Sequence, residues 1–242
     1  IFGNEPEGIF LADNINYDAS ASATYILVSR KIFTAGYFYS GDLYLQDHSN
    51  RKKILFLQLP ADLSTVNAYR IAIDLLASTA AHEFQHSIHF WQKRTLTGDQ
   101  YYANEWLDEA MSGYAEYANG YSIERGNNQS KALQVNSYFT AINRVSVNQW
   151  YTNYDGSAHY GKAYLFGIWL AQNYAVNGVV SALLSNNYVA DEAVGTFCGR
   201  STTEIYARFL LALAVNDANG GVYGFKGLDL DQSYAFTNGL SS

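Results

Sequence analysis

Residues 79–87 read T-A-A-H-E-F-Q-H-S, an H-E-x-x-H pattern inside a long segment of helical character. Residues four apart on an α-helix lie about one turn from each other on the same face. His82 and His86 therefore present two imidazole nitrogens to a single metal ion. Glu83 projects from the next sector round, beside the metal, where a carboxylate is placed to take a proton from metal-bound water. The pattern predicts a metal centre and calls for a third ligand.

The helix that carries it is bounded by ordinary punctuation. Pro60 ends a strand, Ser64 or Thr65 is placed to cap, and the helical spacing continues to about Arg94. Tyr69, Ile73, Leu76, Ala80, Phe84, Ile88 and Trp91 recur at helical intervals and form one apolar face. His82 and His86 fall on the opposite side, preceded there by Ile71 and Leu75. Apolar residues on both sides predict a helix buried between two layers, the floor of a cleft between an N-terminal sheet and later helices.

Upstream, residues 1 to about 60 read as β-rich. Tyr25 to Ser29 and Lys53 to Leu59 are short apolar runs with polar or proline ends. Ala35 to Leu45 resembles a hairpin turning at Ser40-Gly41-Asp42. One of its strands is either an open edge for an extended peptide or a plain paired strand. Downstream, helices are expected over about 104–119, with Gly120 as the stop, and over 128–145, 158–174, 177–185 and 201–216. The fold class is α+β. The expected division is a β-rich lobe, 1–95, ending in the H-E-x-x-H helix, and a helical lobe, 96–242.

Composition limits the partners. A formal net charge of -7 with few Lys and Arg argues against nucleic acid, since no basic stripe replaces counterions on phosphates. No run is apolar and long enough to span a bilayer. The 21 tyrosines suit half-buried surfaces and clefts. The single cysteine, Cys198, excludes an internal disulfide and a cysteine zinc cluster, and reads as a small core residue. Asp229 and Asp231 raise calcium, but two aspartates in a Gly-rich tail read more simply as a solvated turn. The start at Ile-Phe-Gly-Asn, without methionine or signal peptide, suggests a processed or trimmed domain. Oligomeric state is not legible.

The third ligand is open between several residues. His89 lies about 10 Å of helical rise beyond His82, too far for straight-helix side chains to converge tetrahedrally. An H-E-x-x-H-x-x-G-x-x-H arrangement would need Gly and His where this chain has His89 and Gln92. A carboxylate from the next helix fits better. The run W-L-D-E-A-M-S-G-Y-A-E, Trp106 to Glu116, resembles the third-ligand segment of the gluzincin metallopeptidases. By motif the ligand is Glu109; by the aminopeptidase spacing it is Glu105, on the same helix face. Thermolysin-family chains carry an Asp four residues after the ligand Glu, where this chain has Gly113. The aminopeptidase pattern has a carboxylate seven residues on, which is Glu116. The resemblance thus implies Glu116 as a partner orienting His82 or His86, with a simple exposed charge as its alternative.

Ser157 to Phe166 is similar to the aminopeptidase Y-x-K-G-x-x-L-F helix start, which carries the tyrosine that steadies the oxyanion. Tyr160 is the match and His159 the neighbouring fallback. The arrangement as a whole is most similar to the hyicolysin-type bacterial metallopeptidases, over about residues 55 to 175. That resemblance implies a thermolysin-like two-lobe zincin fold, one catalytic Zn²⁺ on His82, His86 and Glu109, and Glu83 as general base. It implies a secreted or cell-surface endopeptidase acting on proteins or peptides. Co²⁺ or Mn²⁺ would fit similar spacing. The aminopeptidase G-x-M-E-N signature is absent, which weakens an exopeptidase reading and leaves endopeptidase in front, with a zinc aminopeptidase as the alternative. A catalytically silent surface-binding or adhesin-like module is the reading from another class.

Overall fold

The computed structural model describes residues 24–44, 49–97, 105–150, 156–174, 183, 190–217 and 219–231. The expected helix over 177–185 lies outside these apart from Leu183, as do the N-terminal 23 residues, Gly98 and Asp99, and the end of the tail. The chain divides into two compact units, Ile1–Ser87 and Ile88–Ser242. An N-terminal mixed β-sheet followed by a helical bundle, with the H-E-x-x-H helix joining them in sequence, is the element order of a thermolysin-like zincin.

In the first unit, β1 (Tyr25–Ser29), β2 (Gly36–Phe38) and β3 (Ile54–Gln58) form a sheet of order β1-β3-β2. β1 runs parallel to β3, with Leu27 opposite Phe56, and β2 runs antiparallel, with Tyr37 opposite Phe56. β3 is central, and its residues Ile54 to Leu57 are all buried, as a continuous apolar run requires when both faces are covered. Tyr37 stacks on Phe56 at 4.5 Å between ring centroids.

The hairpin expected at residues 35–45 does not form as written. Its first strand is β2, at the edge of the sheet, but Ser40–Leu43 is a 3-10 turn. The reason is Asp42, which is fully buried and accepts from Asn50 N at 2.6 Å and Asn50 Nδ2 at 3.1 Å. A buried carboxylate needs donors, and those donors lie across the loop, so the chain turns toward Asn50. Burial raises the Asp42 carboxyl above the ordinary aspartate range against the pull of these bonds.

Helix α1 (Val66–Thr97) opens with Thr65 as its cap: Ala68 N donates to Thr65 Oγ1 at 3.0 Å, which satisfies one of the free N-terminal amides. Gly36 of β2 lies directly on this helix. A Cβ there would stand 2.6 Å from Thr79 Cγ2 and 2.8 Å from Phe56 O, so the strand packs on α1 one turn before His82. The expected apolar face is not the covered one. Tyr69, Ile73, Phe84 and Trp91 are exposed, whereas Ala72, Ser78, Thr79, His82, Glu83, Gln85, Ser87, His89 and Lys93 are buried. At Thr79 the cover is β2, brought close by the missing side chain of Gly36.

The second unit is built round α4 (Gly156–Tyr174), buried from Ala158 to Ala171 except for half-buried Tyr160. α2 (Glu105–Ala118) and α3 (Gln129–Ala141) pack on it. Gly120, with φ 88°, stops the helical segment after α2 as expected. α5 (Ala190–Cys198) goes unread in the sequence, and α6 (Thr202–Val215) is capped by Ser201, which accepts from Glu204 N at 3.2 Å. Trp106, Phe166, Trp169, Tyr206 and Phe209 form a contiguous aromatic cluster, with Phe166 and Phe209 edge-to-face at 5.2 Å. Cys198 is a half-buried free thiol, raised to about 12 by burial.

Two glycines set the helix spacing. A Cβ on Gly161 would stand 2.1 Å from Gln134 O of α3, and one on Gly167 would stand 2.3 Å from Ala110 O of α2. Both contacts are with backbone, which cannot swing aside. Gly161→Ala and Gly167→Ala are each expected to destabilise the protein by about 1–3 kcal/mol or more, read as a lower urea midpoint at unchanged slope.

Candidate metal centre

On α1, one ligand atom each from His82, Glu83 and His86 lies within 4.8 Å of the other two. The i, i+4 spacing stacks the two imidazoles at 4.7 Å between ring centroids, nearly perpendicular to one another. His82 and Glu83 are buried and His86 is half-buried. Ser87 Oγ bonds to Phe84 O and Ser78 Oγ to Leu75 O, so hydroxyls flanking the cluster stay within the helix. Two imidazole nitrogens one helical turn apart suit Zn²⁺, with the Glu83 carboxylate placed beside them. The cluster fits one catalytic zinc ion.

The other expected site residues belong to the second unit. Glu105 is exposed in the first turn of α2. Glu109, one turn later, is half-buried, and its Oε2 is closed off from solvent. His89 pairs with α2 instead of acting as a third imidazole beside its neighbours: its Nδ1 stands 2.8 Å from Asp108 Oδ1, with both side chains largely buried.

Glu116 is buried and joins α2 to α3. Its Oε1 meets Lys131 Nζ at 3.1 Å, and its Oε2 accepts from Asn128 Nδ2 at 2.7 Å. Asn128 also caps α3 by accepting from Lys131 N at 3.1 Å. Glu116 is thus a buried, paired carboxylate, with Lys131 and Asn128 as its partners in these bonds.

His159 and Tyr160 open α4. His159 is buried, its Nδ1 is 3.3 Å from Lys162 Nζ, and its ring lies 5.5 Å from that of Trp150. Tyr160 is half-buried, edge-on to Trp150 at 4.9 Å, with Lys131 Nζ 5.4 Å above its ring. Lys162 itself is fully buried and reaches two backbone carbonyls, Ser146 O at 2.8 Å and Gln149 O at 3.0 Å. Burial lowers its ammonium to about 7; the two carbonyl acceptors and the Trp150 ring at 5.6 Å act in the opposite direction.

Sequence reasoning missed Lys162, Trp150, Asp108, Lys131 and Asn128. For Lys162 a signal exists, a lone lysine in an otherwise apolar helix three residues after His159. For the others the partners are far apart in the chain and only packing joins them. In the tail, Asp229 Oδ1 accepts from Asn216 Nδ2 and Asp231 N, the geometry of a turn.

No family model matches the chain. In sequence it is similar to the neutral metalloprotease ShpI of Staphylococcus hyicus, at 26% identity over 211 residues, 81% of this chain. The match covers 45% of that protein, so the chain spans less than half of its length.

The buried Glu116–Lys131 pair supplies a stability test. Lys131→Met leaves Glu116 charged without its cation and is expected to cost about 3–5 kcal/mol. Adding Glu116→Leu to that variant should recover part of the loss in urea unfolding, because the uncompensated charge is then gone.

Proposed function

We propose that the protein is a zinc-dependent endopeptidase. The observation that carries this is the convergence of His82, Glu83 and His86 on one helix. The similarity to a bacterial neutral metalloprotease supports it. Zn²⁺, when bound, supplies Lewis-acid chemistry at the peptide carbonyl. His82 and His86 hold it through ring nitrogens. Glu109 is the proposed third ligand; its motif context supports it, as does the burial of its Oε2 compared with exposed Glu105.

Glu83 carries the proton in this scheme. Its carboxylate takes a proton from the attacking water and passes it to the leaving amine nitrogen, so one side chain serves as base and then acid. The carbonyl oxygen gains negative charge as water adds, and a donor must meet it there. Tyr160 and His159 are the proposed donors, adjacent at the start of α4. Glu105, exposed one turn earlier on α2, is the alternative ligand by spacing. Protein or peptide is the proposed substrate, and a secreted or surface location the proposed setting.

Glu83→Gln is the direct test. It retains zinc, measured by metal analysis after dialysis, and loses casein hydrolysis by about 10²–10⁴-fold; full activity in that variant removes Glu83 from the mechanism. Endopeptidase action further predicts that N-acetylated peptides are cleaved at internal bonds as readily as free-amine peptides. A strict requirement for the free amine would make the protein an aminopeptidase.

A further inference from the structure

We propose that Lys162 is a positioning residue that fixes His159 as a neutral imidazole with its proton on Nε2, which makes His159 a standing hydrogen-bond donor. The donor's use in catalysis rests on the peptidase reading above; the protonation pattern does not.

Two carbonyl acceptors hold Lys162 in its ammonium form against burial, which lowers it to about 7; an ammonium has three N–H donors and no lone pair. Nζ of Lys162 is surrounded by Ser146 O at 2.8 Å, Gln149 O at 3.0 Å and His159 Nδ1 at 3.3 Å. Two of these are carbonyl oxygens, which only accept, so they take two of the three protons. The third acceptor is then Nδ1, and a nitrogen facing an ammonium must present its lone pair. In a neutral imidazole the single proton is left on Nε2. Protonating both nitrogens would set N–H against N–H and place two cations about 3.3 Å apart, both residues being buried, which the local dielectric makes costly.

The sequence builds this arrangement in two pieces. The i, i+3 spacing puts His159 and Lys162 on one face of α4. The segment after α3 brings the two carbonyls and the indole of Trp150, which lies against both the His159 ring and Lys162 Nζ. His159 is therefore held in ring orientation by Trp150 and in tautomer by Lys162. A neutral N–H donor of this kind can stabilise a developing oxyanion without first having to gain or lose a proton.

If Lys162 only fastened the loop, its removal would leave the histidine tautomer unchanged, and nuclear magnetic resonance distinguishes the two. In long-range ¹H–¹⁵N correlation spectra of the zinc-loaded protein near neutral pH, His159 should show an unprotonated Nδ1 and a protonated Nε2. Its signals are identified by their loss in His159→Gln. In Lys162→Met this pattern should give way to mixed or Nδ1-protonated imidazole. Casein hydrolysis should then fall about 10²-fold in kcat, the lower end of what losing an oxyanion donor costs, with KM within about twofold. A wild-type His159 protonated on Nδ1 overturns the proposal, as does an unchanged tautomer in folded Lys162→Met. If the wild type cleaves no peptide, the peptidase reading fails, and the wild-type spectrum still decides whether Lys162 sets the tautomer.

Discussion

An α-helix returns to the same face every four residues or so, and in α1 that return stacks His82 beneath His86 with Glu83 at their side. The local chemistry depends on this stacking staying rigid. A helix without supports would bend or fray over such a length. Here Thr65 caps its start, and β2 lies against it at Thr79 through the missing side chain of Gly36. The cluster is thus fixed by backbone geometry first and by packing second.

The second unit meets a different demand. It buries charged groups in a largely apolar bundle, and each of those described has a partner. Asp108 faces His89, Lys131 and Asn128 face Glu116, and Lys162 faces two carbonyls and an imidazole. Lys93, also buried and lowered to about 8 by burial, donates to Leu183 O at 2.8 Å. Such contacts add little net stability over apolar packing, but breaking one of them is expensive. Glu116, held by Lys131 and Asn128, in this way ties α2 to α3.

Glycine performs the corresponding task for the backbone. Gly161 and Gly167 stand on opposite neighbours of α4, one against α3 and one against α2, at distances no Cβ tolerates. His159 and Tyr160 immediately precede the first of these contacts. The start of α4 is consequently pinned to α3 at the point where the two candidate donors leave the helix.

The sequence by itself determined the chemistry of α1, because H-E-x-x-H needs only helical pitch to bring its three side chains together, and pitch is local. It also determined the strands at Tyr25 and Ile54, the cap at Thr65, the stop at Gly120 and most helix spans, all of which rest on neighbours a few residues away. Tertiary structure alone decided which side of α1 is covered. Periodicity finds an apolar stripe, yet Tyr69, Ile73, Phe84 and Trp91 are exposed while Ala72, Ser78, Thr79, His82 and Glu83 are buried, because burial follows where other elements pack, as β2 does at Thr79 through Gly36. It also turned the expected hairpin into a 3-10 turn through the Asp42–Asn50 bonds. Finally, it gave His89, Glu116 and His159 their partners, since a buried polar group is satisfied by whatever lies nearest in space, and sequence distance carries no record of that.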